Sequence, residues 1–532
     1  MSHPVSWEFP HRSTRLPVLA ANAVATSQPL AAQAGLRMLL AGGNAMDAAL
    51  ATAITLTVVE PVMNGLGGDA FALVWAEDRL HGINASGRAP ASWTPARFEG
   101  RKTMPMLGWD TVTVPGQIAG WADLSARFGR LPFADLFGPA IEYADNGFLV
   151  SHAVSRIWAN QVETLKNQPG FADAFLIDGR APAPGELWRF PAQARTLERI
   201  AASKGRDFYE GELAQRIVDF SNRTGGSMTM ADLAAHTNDW VEPISIDYRG
   251  DYRVHQIPPN GQGIAALMSL GMLEHFDPAR EAHDIQGLFH LPIEALKLAF
   301  ADLHEYVGDP HSTGALTEAM LDKDYLRRRA ALIDPRTAGA PAAGVPGDSG
   351  TIYLTAADSD GMMVSFIQSN YRGFGSGVVV PDTGIALHNR GSDFSLTPGH
   401  RNEVGPGKRP LHTIIPGFLT RKGRPLAGFG VMGGNMQAQG HVQVVQQLVD
   451  LGSNPQAAID APRFRVQPGP RIMLEAGVPA ATVAALKALG HAIEVLPVDS
   501  LDFGSGQIIQ RLDAGGYIAA SDPRRDGLVA GY

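Results

Sequence analysis

The apolar and polar positions in the opening part of the chain predict one strand and two helices. Ala23–Thr26 is typical of a core strand, and Pro29–Leu40 has apolar residues at helical spacing. The glycine pair Gly42-Gly43 ends that helix. The next segment, Ala45–Val59, is apolar on nearly every face and therefore predicts a buried helix, which Pro61 terminates.

A glycine-rich run at 64–68 follows, and Ala70–Trp75 after it is typical of a strand. A dinucleotide-binding fingerprint needs a strand before the glycines and a helix after them, which is the reverse of the order here. The run therefore predicts a tight connection where two backbone segments pass close together. Such a connection is compatible with lining a pocket.

From 115 to 330 the pattern is mainly helical, and Ile293–Tyr306 is the best-patterned helix of this region. His304 within it is interpreted as a packed or surface histidine, because no partner stands at the spacing of metal ligands. Residues 335–350 are rich in Pro, Gly and Ala, which predicts a linker ending at Thr351.

Beyond residue 351 the chain changes to short predicted strands separated by turns. Asp360-Gly361 suits a hairpin turn. The pair Gly433-Gly434 precedes a helical run predicted from His441 to Leu451. The predicted strands are Ile352–Ala356, Met363–Gln368, Gly377–Pro381 and Gly384–Leu387.

Composition describes a globular protein and narrows its chemistry. The chain has 532 residues, of which 45% are hydrophobic and 18% charged, and its formal net charge of −9 argues against a nucleic-acid partner. It contains no cysteine, so disulfides, thiolate nucleophiles and cysteine-bound metals are excluded. A nucleophile has to be Ser, Thr, Lys or a carboxylate.

No apolar run approaches the ~18 residues that would span a bilayer, so no membrane partner is expected. The segment between Arg12 and Ala25 resembles a secretory signal, but Pro17 and Asn22 interrupt its apolar run. We expect a cytoplasmic location, and a periplasmic one stays open.

The Gly350-Thr351 bond is the candidate self-cleavage site. Scission there would make Thr351 an N-terminal threonine, with a hydroxyl nucleophile and an α-amino base on one residue. On local chemistry alone, a threonine at the start of a strand is more often an ordinary strand residue.

A series of motifs in fixed order adds to this local chemistry, and the chain resembles the γ-glutamyltransferase family of N-terminal-nucleophile hydrolases. The motifs span nearly the whole chain, and their order makes the resemblance specific. They are 42–49, Val59-Glu60-Pro61, 65–68, Val114-Pro115-Gly116, 294–310, Thr351, 373–377, 393–395, 408–411, Gly433-Gly434, 460–463, 520–524 and 530–532.

The resemblance implies an α+β fold, the four-layer αββα sandwich of the N-terminal-nucleophile hydrolases. It implies a single precursor that cuts itself before the catalytic threonine. The products would be a large subunit, 1–350, and a small subunit, 351–532, which stay associated. It also implies a small-molecule amide as substrate, and neither a metal nor a cofactor.

The resemblance also assigns roles to individual residues. Thr351 Oγ would attack the amide carbonyl, and its own α-amino group, with an ordinary pKa of about 7.7–8.0, would take the proton. Ser369 would hydrogen-bond the nucleophile. The backbone N–H groups of Gly433 and Gly434 would form the oxyanion hole, and Asp393 would hold the α-amino group of the substrate.

Four changes in the substrate-binding subsite depart from the family pattern. Arg88 lies two residues beyond the position of the family's carboxylate-binding arginine, where its fork could still bind a carboxylate or have only a structural role. His412-Thr413 replaces a pair of serines. Tyr371 and Arg390 replace two side-chain amides. These changes are compatible with a different acyl group.

The sequence therefore predicts a self-processing threonine amidohydrolase that cleaves a γ-glutamyl or similar small carboxylate-bearing amide. The segment Asp393–Lys408 is shorter than in the better-known transferases that the chain resembles, where it forms a lid over the acceptor. The resemblance therefore implies that a missing lid would leave the acyl-enzyme open to water, which favours hydrolysis over transfer. Within the class, the alternative is an amidase such as an oxamate amidohydrolase or a cephalosporin (glutaryl) acylase. From another class, the alternative is an uncleaved, inactive protein that binds a small acid.

Overall fold

The structure, a computed structural model, describes residues 14–277, 286–339, 351–467 and 469–532. The predicted linker is described only over 335–339, and the rest of it, with Gly350 of the predicted cleavage bond, lies outside the described residues.

Most strands belong to two seven-stranded sheets, and every pairing within them is antiparallel. Sheet A has the strand order Val18–Ala20, Tyr517–Ser521, Ser505–Arg511, Arg424–Met432, Gly417–Arg421, Tyr252–Gln256 and Ile244–Tyr248. Sheet B has the order Leu528–Gly531, Ala23–Thr26, Ile352–Ala357, Met363–Ser369, Asp69–Ala76, Arg79–Ala85 and Asp239–Val241.

Three smaller sheets and the helices complete the described chain. The smaller sheets pair Phe148–Leu149 with Leu187–Trp188, Val379–Val380 with Ile385–Ala386, and Arg471–Glu475 with Phe464–Val466 and Ala492–Leu496. The α-helices are Pro29–Leu40, Ala45–Val59, Gln117–Phe128, Gly138–Asn146, His152–Ala159, Val162–Leu165, Phe171–Phe175, Pro191–Ser203, Arg206–Glu210, Glu212–Arg223, Met230–Ala234, Gly263–Leu273, Leu291–Tyr306, Pro310–Thr313, Leu316–Leu321, Lys323–Ala330, Met436–Val445, Pro455–Asp460 and Ala480–Ala488.

The side chains of sheet B alternate between two hydrophobic clusters. Phe71 and Leu73 join Phe418 and Ile509 of sheet A in one cluster, which packs the two sheets together. Val24 and neighbours on the opposite face of sheet B pack with the helices of the N-terminal half. Since successive residues of a strand point to opposite faces, both faces of sheet B are buried. The chain is a mixed α/β structure.

Several predicted elements are confirmed. The helix Ala45–Val59 is buried along its whole length, and Asn44 and Asp47 form a capping box at its start. The glycine run does bring two backbone segments together, since a Cβ at Gly67 would lie 2.6 Å from the carbonyl oxygen of Ala386. In the described residues, no helix has the length and apolarity that a membrane crossing requires.

Other elements differ from the sequence-based expectation. Three strands, from Asp239 to Gln256, lie in the region predicted to be mainly helical. Two of them pair with distant strands, Asp239–Val241 with Arg79–Ala85 and Tyr252–Gln256 with Gly417–Arg421. The third, Ile244–Tyr248, forms a hairpin with Tyr252–Gln256. The helix after the glycine pair begins at Met436 rather than at His441.

Candidate active site

Thr351 lies beside the central strands of sheet B and is almost completely buried, with 1% of its surface exposed. The strand that follows it, Ile352–Ala357, pairs with Met363–Ser369 in a register that sets Ile352 against Gln368. This register places Thr351 next to Ser369. The Thr351 hydroxyl donates a hydrogen bond to Ser369 Oγ at 3.4 Å.

Ser369 is itself fixed by the turn that follows its strand. Its Oγ accepts a hydrogen bond of 2.6 Å from the backbone N–H of Tyr371. Tyr371 has a φ of +77°, a left-handed conformation that is uncommon for a residue other than glycine. The turn therefore connects the hydroxyl beside Thr351 to the side chain of Tyr371.

Gly433 and Gly434 lie between the last residue of a sheet A strand, Met432, and the helix that begins at Met436. Their φ angles are +127° and +60°, which favour glycine. A Cβ at Gly433 would also lie 3.1 Å from the Cα of Gly504. The backbone conformation of this turn therefore favours glycine, independently of what the two N–H groups bind.

Gln437 joins this glycine turn to Thr351, and sequence reasoning missed it. Its side-chain Nε2 donates a hydrogen bond of 3.1 Å to Thr351 Oγ1. Its backbone N–H donates to the carbonyl of Gly434 at 3.0 Å. The first turn of the helix thus places the glycine pair and the candidate nucleophile next to each other. Its place three residues after the glycine pair is not a distinctive sequence signal.

The side chain of Tyr371 belongs to a second cluster of polar side chains. The Tyr371 hydroxyl donates a 2.6 Å hydrogen bond to Asp393 Oδ1, and the Arg390 guanidinium stacks on the Tyr371 ring at 4.1 Å. Arg390 Nη1 donates to Thr413 Oγ1 at 2.7 Å and lies 3.8 Å from Asp393 Oδ2. Four residues that the sequence assigned to substrate binding are therefore in mutual contact.

Burial dominates the electrostatics of this group. It raises the pKa of Asp393 to about 6, although Arg390 and the Tyr371 hydrogen bond oppose the shift. Burial likewise lowers the pKa of Arg390 and raises that of Tyr371. Arg390 Nε and Nη2 and Asp393 Oδ2 are buried, and none of these atoms has a hydrogen-bond partner among the residues that the structure describes. Such groups cost free energy until a ligand or water pairs with them.

A polar cavity of about 250 Å³ opens next to this group. Asp393 and Thr413 line it from one side, and Asn435, which follows the glycine pair, also contributes. His304 lines it too, so the histidine interpreted as packed or surface borders the candidate site. Its Nε2 is buried and has no hydrogen-bond partner within the described part of the chain. The other lining residues are Val307, Ser392, Ser395, His400, Asn402 and Leu411.

His412 is directed away from this cavity toward a buried carboxylate. Its Nε2 lies 3.2 Å from Asp69 Oδ2, and Asp69 Oδ1 accepts hydrogen bonds from the backbone N–H groups of Gly87 and Gly116. Burial acts to raise the pKa of Asp69, but His388 and His412 outweigh it and leave that pKa low. Burial lowers the pKa of His412 to about 3. His412 is therefore paired with a buried carboxylate of the protein, which suits a structural role.

Arg88 is also apart from the cavity. Its guanidinium lies 3.6 Å from Asp239 Oδ2, and it donates to the carbonyl of Gly407 at 3.5 Å. Asp239 accepts a further, short hydrogen bond from Arg409. Arg88 is therefore paired with a carboxylate of the protein, which suits the structural role considered for it.

A buried cluster elsewhere has the residue types of a metal site. His290, Glu294 and His491 offer ligand atoms within 4.8 Å of one another. Lys297 Nζ, however, donates to Glu294 Oε1 at 2.7 Å, and that oxygen is the one 3.9 Å from His491 Nδ1. The lysine ammonium already supplies the positive charge that a metal would bring.

Two buried hydroxyls, a glycine turn and an adjoining polar cavity are the features of an acyl-transfer site. The family model described as gamma-glutamyltranspeptidase matches residues 31–532. The chain belongs to the gamma-glutamyltranspeptidase family, as the sequence motifs predicted.

Individual relatives differ in their named substrates. The chain is 39% identical to the glutathione hydrolase-like YwrD proenzyme of Bacillus subtilis and 36% identical to the oxamate amidohydrolase proenzyme of Klebsiella pneumoniae. Each match covers 94% of this chain and 97% of the relative. The crystal structure of cephalosporin acylase from Bacillus halodurans is 48% identical, covers 100% of this chain and 99% of that chain, and superimposes with a TM-score of 0.95.

The family and these relatives point to an amidohydrolase or transpeptidase. Several relatives are named as proenzymes, which fits the predicted precursor.

Proposed function

We propose that this protein is a self-processing amidohydrolase that cleaves a small carboxylate-bearing amide through an acyl-Thr351 intermediate. The observation that carries the proposal is the position of the Thr351 hydroxyl. It is buried, it lies within 3.4 Å of Ser369 Oγ and 3.1 Å of Gln437 Nε2, and the glycine turn adjoins it. A buried hydroxyl held by two polar groups next to a glycine turn is arranged for attack on a carbonyl.

The proposed maturation uses the same hydroxyl. Thr351 Oγ attacks the carbonyl of Gly350, and the peptide becomes an ester as the nitrogen leaves. Water then hydrolyses the ester and releases residues 1–350 and 351–532 as two subunits. The new α-amino group, with an ordinary pKa near ~8, is the base for later turnovers.

In turnover, the substrate carbonyl replaces that of Gly350. The proton of the Thr351 hydroxyl passes to the α-amino group, and the backbone N–H groups of Gly433 and Gly434 stabilise the developing oxyanion. The protonated amine then donates to the leaving nitrogen. Water attacks the acyl-enzyme and regenerates the threonine. Because the segment Asp393–Lys408 is short, we infer that hydrolysis exceeds transfer.

The unpaired edge of Arg390 supports a carboxylate on the acyl group. Its Nε and Nη2 form the side of the guanidinium that binds a carboxylate with two parallel hydrogen bonds. Elsewhere in this chain, Arg199 binds the two carboxylate oxygens of Asp207 through the same two nitrogens, at 2.7 and 3.3 Å. We assign Arg390 to the substrate carboxylate, in place of Arg88.

This subsite favours an acyl group other than γ-glutamyl. A γ-glutamyl group carries an α-amino group as well as a carboxylate, and Asp393 would have to bind the amine as an anion. Its pKa of about 6 and its hydrogen bond from Tyr371 leave it a weaker partner for a cation than an exposed carboxylate. Glutaryl and oxamate amides have no α-amino group.

The fold fits the same class. We propose that the two packed sheets and the helices on their outer faces correspond to the four-layer αββα sandwich of the N-terminal-nucleophile hydrolases. Sheet B contributes Thr351 and sheet A leads into the glycine pair. The active site would then lie at the ends of strands from both sheets.

A substrate panel tests the proposal. Wild-type protein and Thr351→Ala are incubated with γ-glutamyl-p-nitroanilide, oxamate and a glutaryl amide, and the released amine or ammonia is measured. We expect turnover of at least one amide by the wild type and none by the variant. Turnover by Thr351→Ala would overturn the mechanism. An unprocessed wild type that binds these acids without hydrolysing them would support the small-acid-binding alternative.

A further inference from the structure

We propose that Gln437 is a positioning residue for the nucleophile, which donates a hydrogen bond to Thr351 Oγ and directs the hydroxyl proton away from itself. This inference rests on the proposed function, since it assigns a task in the acyl transfer. It concerns a residue with no reactive group of its own.

The orientation of the Gln437 amide follows from its two contacts. The backbone N–H of Ile415 lies 3.0 Å from Gln437 Oε1, and a backbone N–H can only donate. Oε1 is therefore the oxygen, and Nε2 is the atom that faces Thr351 Oγ1 at 3.1 Å. Because an amide nitrogen has no acceptor lone pair, the Thr351 hydroxyl has to accept this bond.

This acceptance leaves the single Thr351 hydroxyl proton for another acceptor. Ser369 Oγ, 3.4 Å away, accepts a hydrogen bond from that hydroxyl. Ser369 Oγ is in turn held by the N–H of Tyr371 at 2.6 Å. The order of donors runs from Gln437 through Thr351 to Ser369, with one rotamer of Thr351 satisfying both contacts.

The bond from Gln437 strengthens as the reaction begins. When the proton leaves Thr351, its oxygen gains negative charge, and a hydrogen bond to a charged acceptor is roughly twice as strong as one between neutral groups. An interaction that is stronger in the transition state than in the ground state raises kcat. We therefore expect Gln437 to affect kcat more than KM.

The helix offers a matched control two residues further on. Gln439 is also completely buried, but its Nε2 donates to the backbone carbonyls of Val466 at 3.2 Å and Asn435 at 3.3 Å. Its Oε1 accepts from the Val466 N–H at 2.6 Å, and none of these contacts involves Thr351. Gln439 thus holds the helix to a neighbouring strand, whereas Gln437 reaches the nucleophile. Substitution by methionine conserves length at both positions and removes both polar groups.

The experiment measures kcat, KM and their pH dependence for Gln437→Met, Gln437→Glu and Gln439→Met on the best amide of the panel. Only the processed fraction is used, quantified by electrophoresis. We expect Gln437→Met to lower kcat by roughly 10- to 100-fold, below the full effect of losing an oxyanion-hole donor, with KM changed less than ~3-fold. Gln439→Met should retain a kcat within ~3-fold of wild type, since Thr351 keeps its contacts.

The Gln437→Glu variant separates positioning from a structural role. An ionised carboxylate can only accept, so it would draw the Thr351 proton toward itself, whereas a protonated carboxyl can donate as the amide does. The ratio of variant to wild-type kcat should therefore rise as pH falls, while the ratio for Gln437→Met stays constant with pH. An equal loss in Gln437→Met and Gln439→Met, or a pH-independent ratio for Gln437→Glu, would overturn the assignment.

Failure of this inference is distinguishable from failure of the proposed function. If wild-type protein turns over the amide, Thr351→Ala does not, and Gln437→Met equals wild type, the function stands and the role of Gln437 is wrong. If Thr351→Ala remains as active as wild type, the acyl-threonine mechanism is wrong and the role of Gln437 falls with it.

Discussion

Replacement of Arg390 by methionine tests the substrate subsite most sharply. Methionine replaces the aliphatic part of the side chain, and it removes the guanidinium whose Nε and Nη2 have no hydrogen-bond partner among the described residues. It also removes the Nη1 bond to Thr413. The proposed substrate carboxylate then enters a pocket without its cation.

The expected magnitude follows from the two bonds that a carboxylate would make. Hydrogen bonds to charged groups contribute roughly 1.5–3 kcal/mol each. Two of them at the lower end give about 3 kcal/mol, which corresponds to roughly a 100-fold loss in kcat/KM. Arg390→Lys keeps the charge without the planar fork, so we expect an intermediate loss.

The assay compares two substrates on the same variant. One is the carboxylate-bearing amide that wild type hydrolyses best, and the other is its analogue with a methyl group in place of the carboxylate. Any general damage to folding lowers both rates equally, so the ratio of the two kcat/KM values isolates the carboxylate contact. The reasoning is refuted if Arg390→Met lowers kcat/KM equally for both substrates.

Three further outcomes are expected from the structure. Burial raises the pKa of Asp393 to about 6 in the folded protein, above its unfolded value of 3.8. The protonated carboxyl therefore contributes to stability below pH 3.8, and this contribution is lost as pH rises through 6. Relative to Asp393→Asn, the free energy of unfolding of wild type should therefore fall by about 1 kcal/mol between pH 5 and pH 7, and a constant difference in urea unfolding would contradict this. Gly433→Ala adds a Cβ 3.1 Å from Gly504 Cα at a residue whose φ is +127°. It should destabilise the protein by roughly 1–3 kcal/mol and sharply lower kcat. An unchanged kcat would exclude the glycine turn from catalysis. Glu294→Ala leaves the Lys297 ammonium buried without its carboxylate and should lower the free energy of unfolding by about 3–5 kcal/mol. Glu294→Gln combined with Lys297→Met should lower it less. Equal decreases in urea unfolding would contradict the ion pair.

The predictability of the fold from sequence depended on how local each pattern is. The helix Ala45–Val59 could be predicted because its apolar run, its cap and its terminating proline are all contiguous. Two strands between Asp239 and Gln256 could not, because residues 79–85 and 417–421, far along the chain, supply the hydrogen-bond partners of Asp239–Val241 and Tyr252–Gln256. The strand between them, Ile244–Tyr248, pairs with Tyr252–Gln256 and so depends on the same long-range pairing. Pairing with a distant strand leaves no signal in the local sequence beyond a short alternation of apolar and polar residues.

The residues of the candidate site likewise divide into those that a sequence motif predicts and those that only the three-dimensional structure brings together. Thr351 and the glycine pair could be predicted because their motifs are distinctive, and Tyr371, Arg390 and Asp393 because they depart from or match a family pattern. Gln437 could not, since a glutamine in the first turn of a helix has no distinctive pattern. The unpaired edge of Arg390 and the contact of His412 with Asp69 depend on which side chains meet in space.

Mass spectrometry of the purified protein, before and after brief exposure to its amide substrate, tests the central claim most directly. We expect wild type to consist of two chains, with the smaller one beginning at Thr351 and gaining the mass of the acyl group on that residue. Thr351→Ala should remain a single unmodified chain. A wild-type protein that hydrolyses the amide as one intact chain, or that carries the acyl group on another residue, would contradict the account.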